Sequence, residues 1–329
     1  MELFYLILGL FLIVAGITDF VWTTLWVDGA AGPITNRSST LLWRFLRKLS
    51  KGKPRTLSLS GPIILSFTLL TWIVLLWAGW TFVFAGNTNL LINSQTLEPV
   101  TWTERIYYAG YLIFTLGNGD ISPQTGFSQM ATVIATGTGM LFITLGVTYL
   151  LSILGAVTKK RALAESISGI GRTGDDLVIN AWNGRDFQDI DLLLNNLSSE
   201  LSVITAQHKA YPVLHYYYSE ETNEALPVSI VIFDEALTLF NSAIPENVRP
   251  NSLLIKEARS SVQSYLNTLQ DATEKPPANV PAAVELNTLQ QAGLPTVSKE
   301  QYADALSGLE EHRRQLSELL KAGAREWPH

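Results

Sequence analysis

Apolar positions in this chain are concentrated rather than spread. Residues 3 to 27, 62 to 85 and 126 to 157 carry few or no formal charges, and each reaches the roughly 20 residues that a helix needs to cross about 30 Å of hydrocarbon. A fourth stretch, residues 103 to 125, is too apolar for an ordinary loop. Within it Ile106, Tyr107, Tyr108, Tyr111, Leu112, Ile113 and Phe114 recur at helical spacing, yet a helix from Thr103 to Phe114 rises only about 18 Å. Such a segment enters the membrane and comes back. Irregular backbone at that depth is tolerated only where it is buried in protein or lines a watery cavity.

After residue 160 the pattern becomes that of amphipathic helices in water. Asp186 to Lys209 places Ile190, Leu193, Leu194, Leu197, Leu201 and Ile204 on one face, and Ile230 to Ser242 and Ser252 to Asp271 follow suit. Lys275-Pro276-Pro277, with Pro281 and Pro295, marks a linker. Lys299 to Ala322 carries Tyr302, Leu306, Leu309, Leu316 and Leu320 at heptad spacing with Arg313 interrupting the seam. That pattern suits either subunit assembly or packing onto its own domain. The expected fold is an all-α membrane protein. It divides into an N-terminal transmembrane helix (1–28), a basic loop (29–61), a module of two spans and a re-entrant segment (62–157), a linker (158–174) and a mainly helical domain (175–329).

Charge orients these parts. Residues 29 to 61 hold Arg37, Arg44, Arg47, Lys48, Lys51, Lys53 and Arg55 with no acidic residue, and Lys159-Lys160-Arg161 follows the third span. By the positive-inside rule both clusters are cytoplasmic. An integral protein of the plasma (inner) membrane is expected, with its N-terminus outside and its C-terminus cytoplasmic. Met1-Glu2 leads straight into apolar sequence without the basic start of a signal peptide, so the first helix is expected to be retained. Leu42 to Leu49 is an amphipathic stretch suited to the inner leaflet. Asp19 is a carboxylate inside an apolar run, towards the cytoplasmic end, where water, Thr18 or a basic loop residue would satisfy it.

Of 329 residues 47% are hydrophobic and 16% charged, the formal net charge is -6, and cysteine is absent. No cysteine means no disulfide, thiolate metal site or thiol nucleophile. His208, His215, His312 and His329 have no metal-ligand spacing, and the spans lack paired ionisable residues, so an enzyme is not expected. Nothing points to a cofactor, a resident metal or a nucleic-acid partner. Gly169-Ile170-Gly171-Arg172-Thr173-Gly174 matches GxGxxG but follows a polar helical extension rather than a strand, and is read as a joint rather than a nucleotide site.

The turn of the re-entrant segment, Thr115-Leu116-Gly117-Asn118-Gly119, suits one chemistry. Glycines at alternate positions permit backbone angles closed to other residues, so that successive carbonyls face one axis. Rings of such carbonyls replace the water shell of a monovalent cation. The Thr115 hydroxyl adds an oxygen ring at one end and Asp120 a negative charge at the outer mouth. Because the chain carries one such segment, closing the ring takes several copies.

Thr115-Leu116-Gly117-Asn118-Gly119-Asp120-Ile121-Ser122-Pro123 resembles the T-V-G-Y-G-D-x-x-P stretch of the pore-loop potassium channels, in the same order of outer helix, pore helix, filter and inner helix. The resemblance covers about residues 61 to 157. It implies a homotetramer in the lipid bilayer passing K+ passively through a carbonyl filter. It also implies a hinge glycine on the inner helix, for which Gly139, 20 residues beyond Gly119, and Gly137 are the candidates; packing of small residues is the competing role. Two positions depart from the family: Asn118 replaces its Tyr or Phe, and Phe114 replaces a common Thr. The carbonyl ladder survives both changes, but the aromatic packing behind it does not. Three outcomes therefore stay open: a potassium channel gated at the inner helix by the cytoplasmic domain and an unidentified ligand or protein there, a weakly selective cation pore that also passes Na+, and a non-conducting membrane sensor or scaffold.

Overall fold

A computed structural model describes residues 1–26, 31–50, 53–117, 119–269, 282–323 and 325–328. In chain order the first half comprises α1 (Glu2–Leu25), α2 (Pro33–Ser50), α3 (Pro54–Leu57), α4 (Ser60–Ala85), β1 (Leu91–Asn93), α5 (Trp102–Ile113), β2 (Ile121–Pro123) and α6 (Gly126–Ser168). Three stretches, Glu2–Leu25, Pro54–Ala85 and Gly126–Ser168, are long and apolar enough to cross a membrane, as the apolar runs require. The second half adds α7 (Gly174–Ala181), α8 (Asp191–Ala210), α9 (Leu226–Ser242), α10 (Ser252–Leu269), α11 (Leu286–Gln291), α12 (Lys299–Ser307) and α13 (Glu310–Ala322). The protein is all-α apart from the ladder of β1 and β2, strands too short to show a period of two in the sequence.

The chain forms two compact units. The first comprises Met1–Phe45, Gly61–Leu154 and Ala210–Val213. Here α1 crosses α4 at small residues: a Cβ on Gly9 would lie 2.6 Å from the Val83 nitrogen, and one on Gly79 2.6 Å from Ile13 Cγ1. Glycine at both positions lets the backbones approach, which is how helices gain contact where lipid removes the hydrophobic drive. Further along, Phe20 of α1 stacks on Phe142 of α6 with ring centres 4.2 Å apart and meets Trp72 of α4 edge-on at 4.9 Å.

Asp19 is buried here, and its partners differ from those expected. One carboxylate oxygen accepts from the backbone N–H of Ile34 at 2.7 Å and of Thr35 at 3.1 Å; the other accepts from the Thr35 hydroxyl at 2.5 Å and the Trp72 indole at 2.8 Å. The carboxylate therefore caps α2, satisfying amides that a helix start leaves without partners and opposing the positive end of its dipole.

The second unit comprises Leu46–Ser60, Gly155–Lys209 and Leu214–His329. Its centre is α9, a mainly apolar helix that buries every residue except Pro227 and Asn241. Its two acidic residues are matched from neighbouring helices. Asp234 meets His312 of α13 at 2.9 Å and Arg259 of α10 at 3.7 Å, and Glu235 meets Arg313 at 3.0 Å. The heptad-like segment is thus two helices, broken at Gly308–Leu309, that pack on α9; Arg313 interrupts the seam because it faces Glu235. Asp271 and the Lys275-Pro276-Pro277 to Pro281 stretch lie outside the described residues.

Candidate ion-conducting site

The short helix α5 starts with a capping box. The Thr101 hydroxyl accepts from the Glu104 N–H, while Glu104 accepts from the Thr101 N–H at 2.7 Å, so two donors at the start of α5 are satisfied within the segment. The Asn93 side-chain amide donates to the other Glu104 oxygen at 2.8 Å and ties β1 to the same point.

Two large side chains hold α5 between its neighbours. Trp77 of α4 donates its indole N–H to the Ile106 carbonyl at 2.8 Å and lies against Gly110, where an added Cβ would come within 3.2 Å of the indole. Tyr108 packs edge-on to Phe84 and shares a 2.8 Å hydrogen bond with Thr132 of α6. On the α6 side, Trp80 donates to Thr138 at 3.1 Å. Gly139 then decides how closely α6 and α5 approach. A Cβ there would overlap the Ile113 carbonyl and lie 2.6 Å from the Ile113 Cα. Gly137 meets nothing within 4 Å.

At the end of α5 the backbone leaves the right-handed region. Thr115 has φ 55° and Gly117 has φ 71°, and the Leu116 N–H reaches back to the Tyr111 carbonyl at 3.0 Å. Positive φ suits Gly117. For Thr115, a β-branched residue, it costs on the order of 1–3 kcal/mol and is tolerated only where the surroundings over-determine it. Thr115, Leu116, Gly117, Gly119 and Asp120 are all exposed in the single chain; Asn118 lies outside the described residues. The backbone beyond is fastened in turn: the Asp120 carbonyl accepts from the Ser94 N–H at 2.8 Å, and β2 pairs antiparallel with β1 in the register Leu91 with Pro123 and Asn93 with Ile121.

The turn and the helix before it are legible in the sequence, whereas the groups that grip them are not: Trp77, Tyr108, Ser94 and the fit of Gly139 to Ile113. The signals available were Gly110 inside a short helix and the row of small residues at 135–139, which mark close approach without saying to what.

The GxGxxG stretch is a packing feature. A Cβ on Gly171 would overlap the Leu177 backbone nitrogen, and one on Gly174 would lie 2.5 Å from the Glu235 Cβ. Beside it Thr173, Asp175, Asp176, Glu235 and Glu285 line a cavity of about 510 Å³. Its four carboxylates are the wrong sign for phosphate. Among the described residues no group of His, Asp and Glu is arranged to hold a metal ion.

Residues 67–156 match the model of a family described as "Ion channel", a family of channels rather than enzymes. The chain is also 46% identical over 324 residues to YdjJ, an uncharacterized membrane protein of Bacillus subtilis (strain 168), a match covering 98% of this chain and 95% of that protein. No solved structure matches.

Proposed function

Since the chain belongs to the family of the Bacillus subtilis membrane protein YdjJ and carries an ion-channel pore module, we propose that it is one subunit of a tetrameric, potassium-selective cation channel. In this reading the backbone carbonyls of Thr115, Leu116, Gly117, Asn118 and Gly119, with the Thr115 hydroxyl, form the filter, and Asp120 stands at its outer mouth. Flow is passive.

The observation that carries the proposal is the alternation of left-handed backbone at Thr115 and Gly117, directly after a helix too short to span, packed between two helices that are long enough to span. Strain at a β-branched residue is kept where function needs the conformation. Gating belongs to α6, which contributes residues to both compact units. With Gly139 wedged against Ile113, Gly137 is the freer point for bending. A weaker selectivity, admitting Na+, is the second reading, and Asn118 in place of an aromatic is what favours it.

Substitution at the turn tests the proposal. Gly117→Ala opposes positive φ, so the reconstituted variant is expected to keep its oligomeric mass and lose K+ flux. Unchanged flux would contradict the filter assignment.

A further inference from the structure

The first amphipathic helix, α2, has an exposed apolar face. Leu41, Phe45 and Leu49, at i, i+4 and i+8, are 66%, 62% and 65% exposed. Arg37, Arg44 and Lys48 run as a strip beside them, since positions 7 and 4 apart fall on one side of a helix. All three are exposed, and among the described residues none pairs with a carboxylate. The helix contains no acidic residue, although the whole chain carries a net charge of -6.

The position of α2 is fixed by α1. Asp19 caps its first turn, and the Gly32 N–H donates to the Thr23 hydroxyl at 2.9 Å. Asp19 is six residues from Leu25, the end of α1, so α2 begins about 9 Å within that end. Trp22 and Trp26, 44% and 63% exposed, mark the same level, where tryptophans favour the boundary between headgroups and acyl chains. The helix is therefore held at the depth where an apolar stripe meets acyl chains and adjacent cations meet headgroup phosphates.

We infer that α2 is a docking surface for anionic phospholipid: Leu41, Phe45 and Leu49 enter the leaflet, and Arg37, Arg44 and Lys48 hold the negative headgroups. The inference rests on membrane placement and not on conduction, so it stands or falls apart from the proposed function.

The test uses the purified full-length protein in neutral detergent, titrated with phosphatidylglycerol or phosphatidylcholine and followed by thermal unfolding. Phosphatidylglycerol is expected to raise the melting temperature at concentrations where phosphatidylcholine does not. The triple variant R37Q/R44Q/K48Q is expected to melt normally without lipid and to need on the order of a hundredfold more phosphatidylglycerol for the same shift. L41S/F45S/L49S, with the charges kept, is expected to respond more weakly than the parent. Equal responses to the two lipids would overturn the inference, as would an unchanged response in either variant. A triple variant that altered the oligomer's size while keeping its lipid response would assign the face to another copy of the chain, again against the inference.

Discussion

The indole N–H of Trp72 donates to the carboxylate of Asp19 at 2.8 Å, joining α4 to α1 across 53 residues of sequence. The same carboxylate caps α2, so a single buried charge fixes three helices. Asp19→Ala would leave the indole, two amides and a hydroxyl without an acceptor, and each unsatisfied donor carries a desolvation penalty. A loss of at least about 3 kcal/mol is expected, read by thermal or denaturant unfolding in detergent. Trp72→Phe removes one bond and should cost less. Equal stability of parent and Asp19→Ala would remove the capping role.

The two inner-helix glycines should behave differently. At Gly139 a methyl group collides with the Ile113 backbone, so Gly139→Ala is expected to destabilise by about 1–3 kcal/mol and to disturb the turn at Thr115 to Gly117 through α5. At Gly137 there is open space, and alanine favours helix by up to about 1 kcal/mol. Gly137→Ala is therefore expected to fold at least as well as the parent but to gate differently. Similar melting temperatures for the two variants would contradict the assignment of Gly139 to packing.

In the second unit, Arg313 neutralises a buried Glu235 and also donates to the Ala282 carbonyl at 2.8 Å. Burial pushes the Glu235 carboxyl above its ordinary range, against the pull of Arg313. Arg313→Ala strands that acid and is expected to cost about 3–5 kcal/mol, whereas removing both charges in E235L/R313M should restore much of the loss. A double variant as unstable as the single one would show that packing, and not the charge pair, is at stake.

Acid should loosen the same unit. His208 is buried against Tyr265 and His215, and among the described residues neither ring nitrogen has a hydrogen-bond partner. Burial, with the positive charge of Lys160 nearby, holds its pKa well below the usual imidazole value of 6.5; burial, with Lys160 and Arg47, holds His215 down to about 4. Both are neutral when folded and gain a proton when unfolded, so their contribution is full above about pH 6.5 and falls as the pH drops towards 4. Each contributes a slope of about 1.4 kcal/mol per pH unit in that window. Glu235, with its raised pKa, works in the opposite direction, which makes variants the cleaner comparison. His208→Leu should flatten the profile between pH 6.5 and 4; an unaltered slope would contradict a neutral buried histidine.

How much of this was written in the sequence depends on the reach of each interaction. The three long apolar helices and the short helix Trp102–Ile113 were legible because hydrophobic length and period are local. So was most of the helix expected over Asp186 to Lys209: it runs from Asp191 to Ala210 and buries its face of Leu194, Leu197, Leu201 and Ile204. The partners of Asp19 and Arg313 were not, since both are set by segments distant in sequence. Heptad spacing from Tyr302 to Leu320, interrupted at Arg313, left subunit assembly and packing onto its own domain both open; the chain breaks at Gly308–Leu309 and packs onto α9. At the turn the sequence supplied residue types and order; the left-handed φ of Thr115, where a side chain opposes it, required the structure.

The most direct test of the channel is ion flux through the purified protein in liposomes, with K+ and Na+ gradients measured in parallel beside Gly117→Ala. K+ flux well above Na+ flux, abolished in the variant, is the expected result. Equal K+ and Na+ fluxes that persist in the variant would contradict a selective carbonyl filter at Thr115 to Gly119.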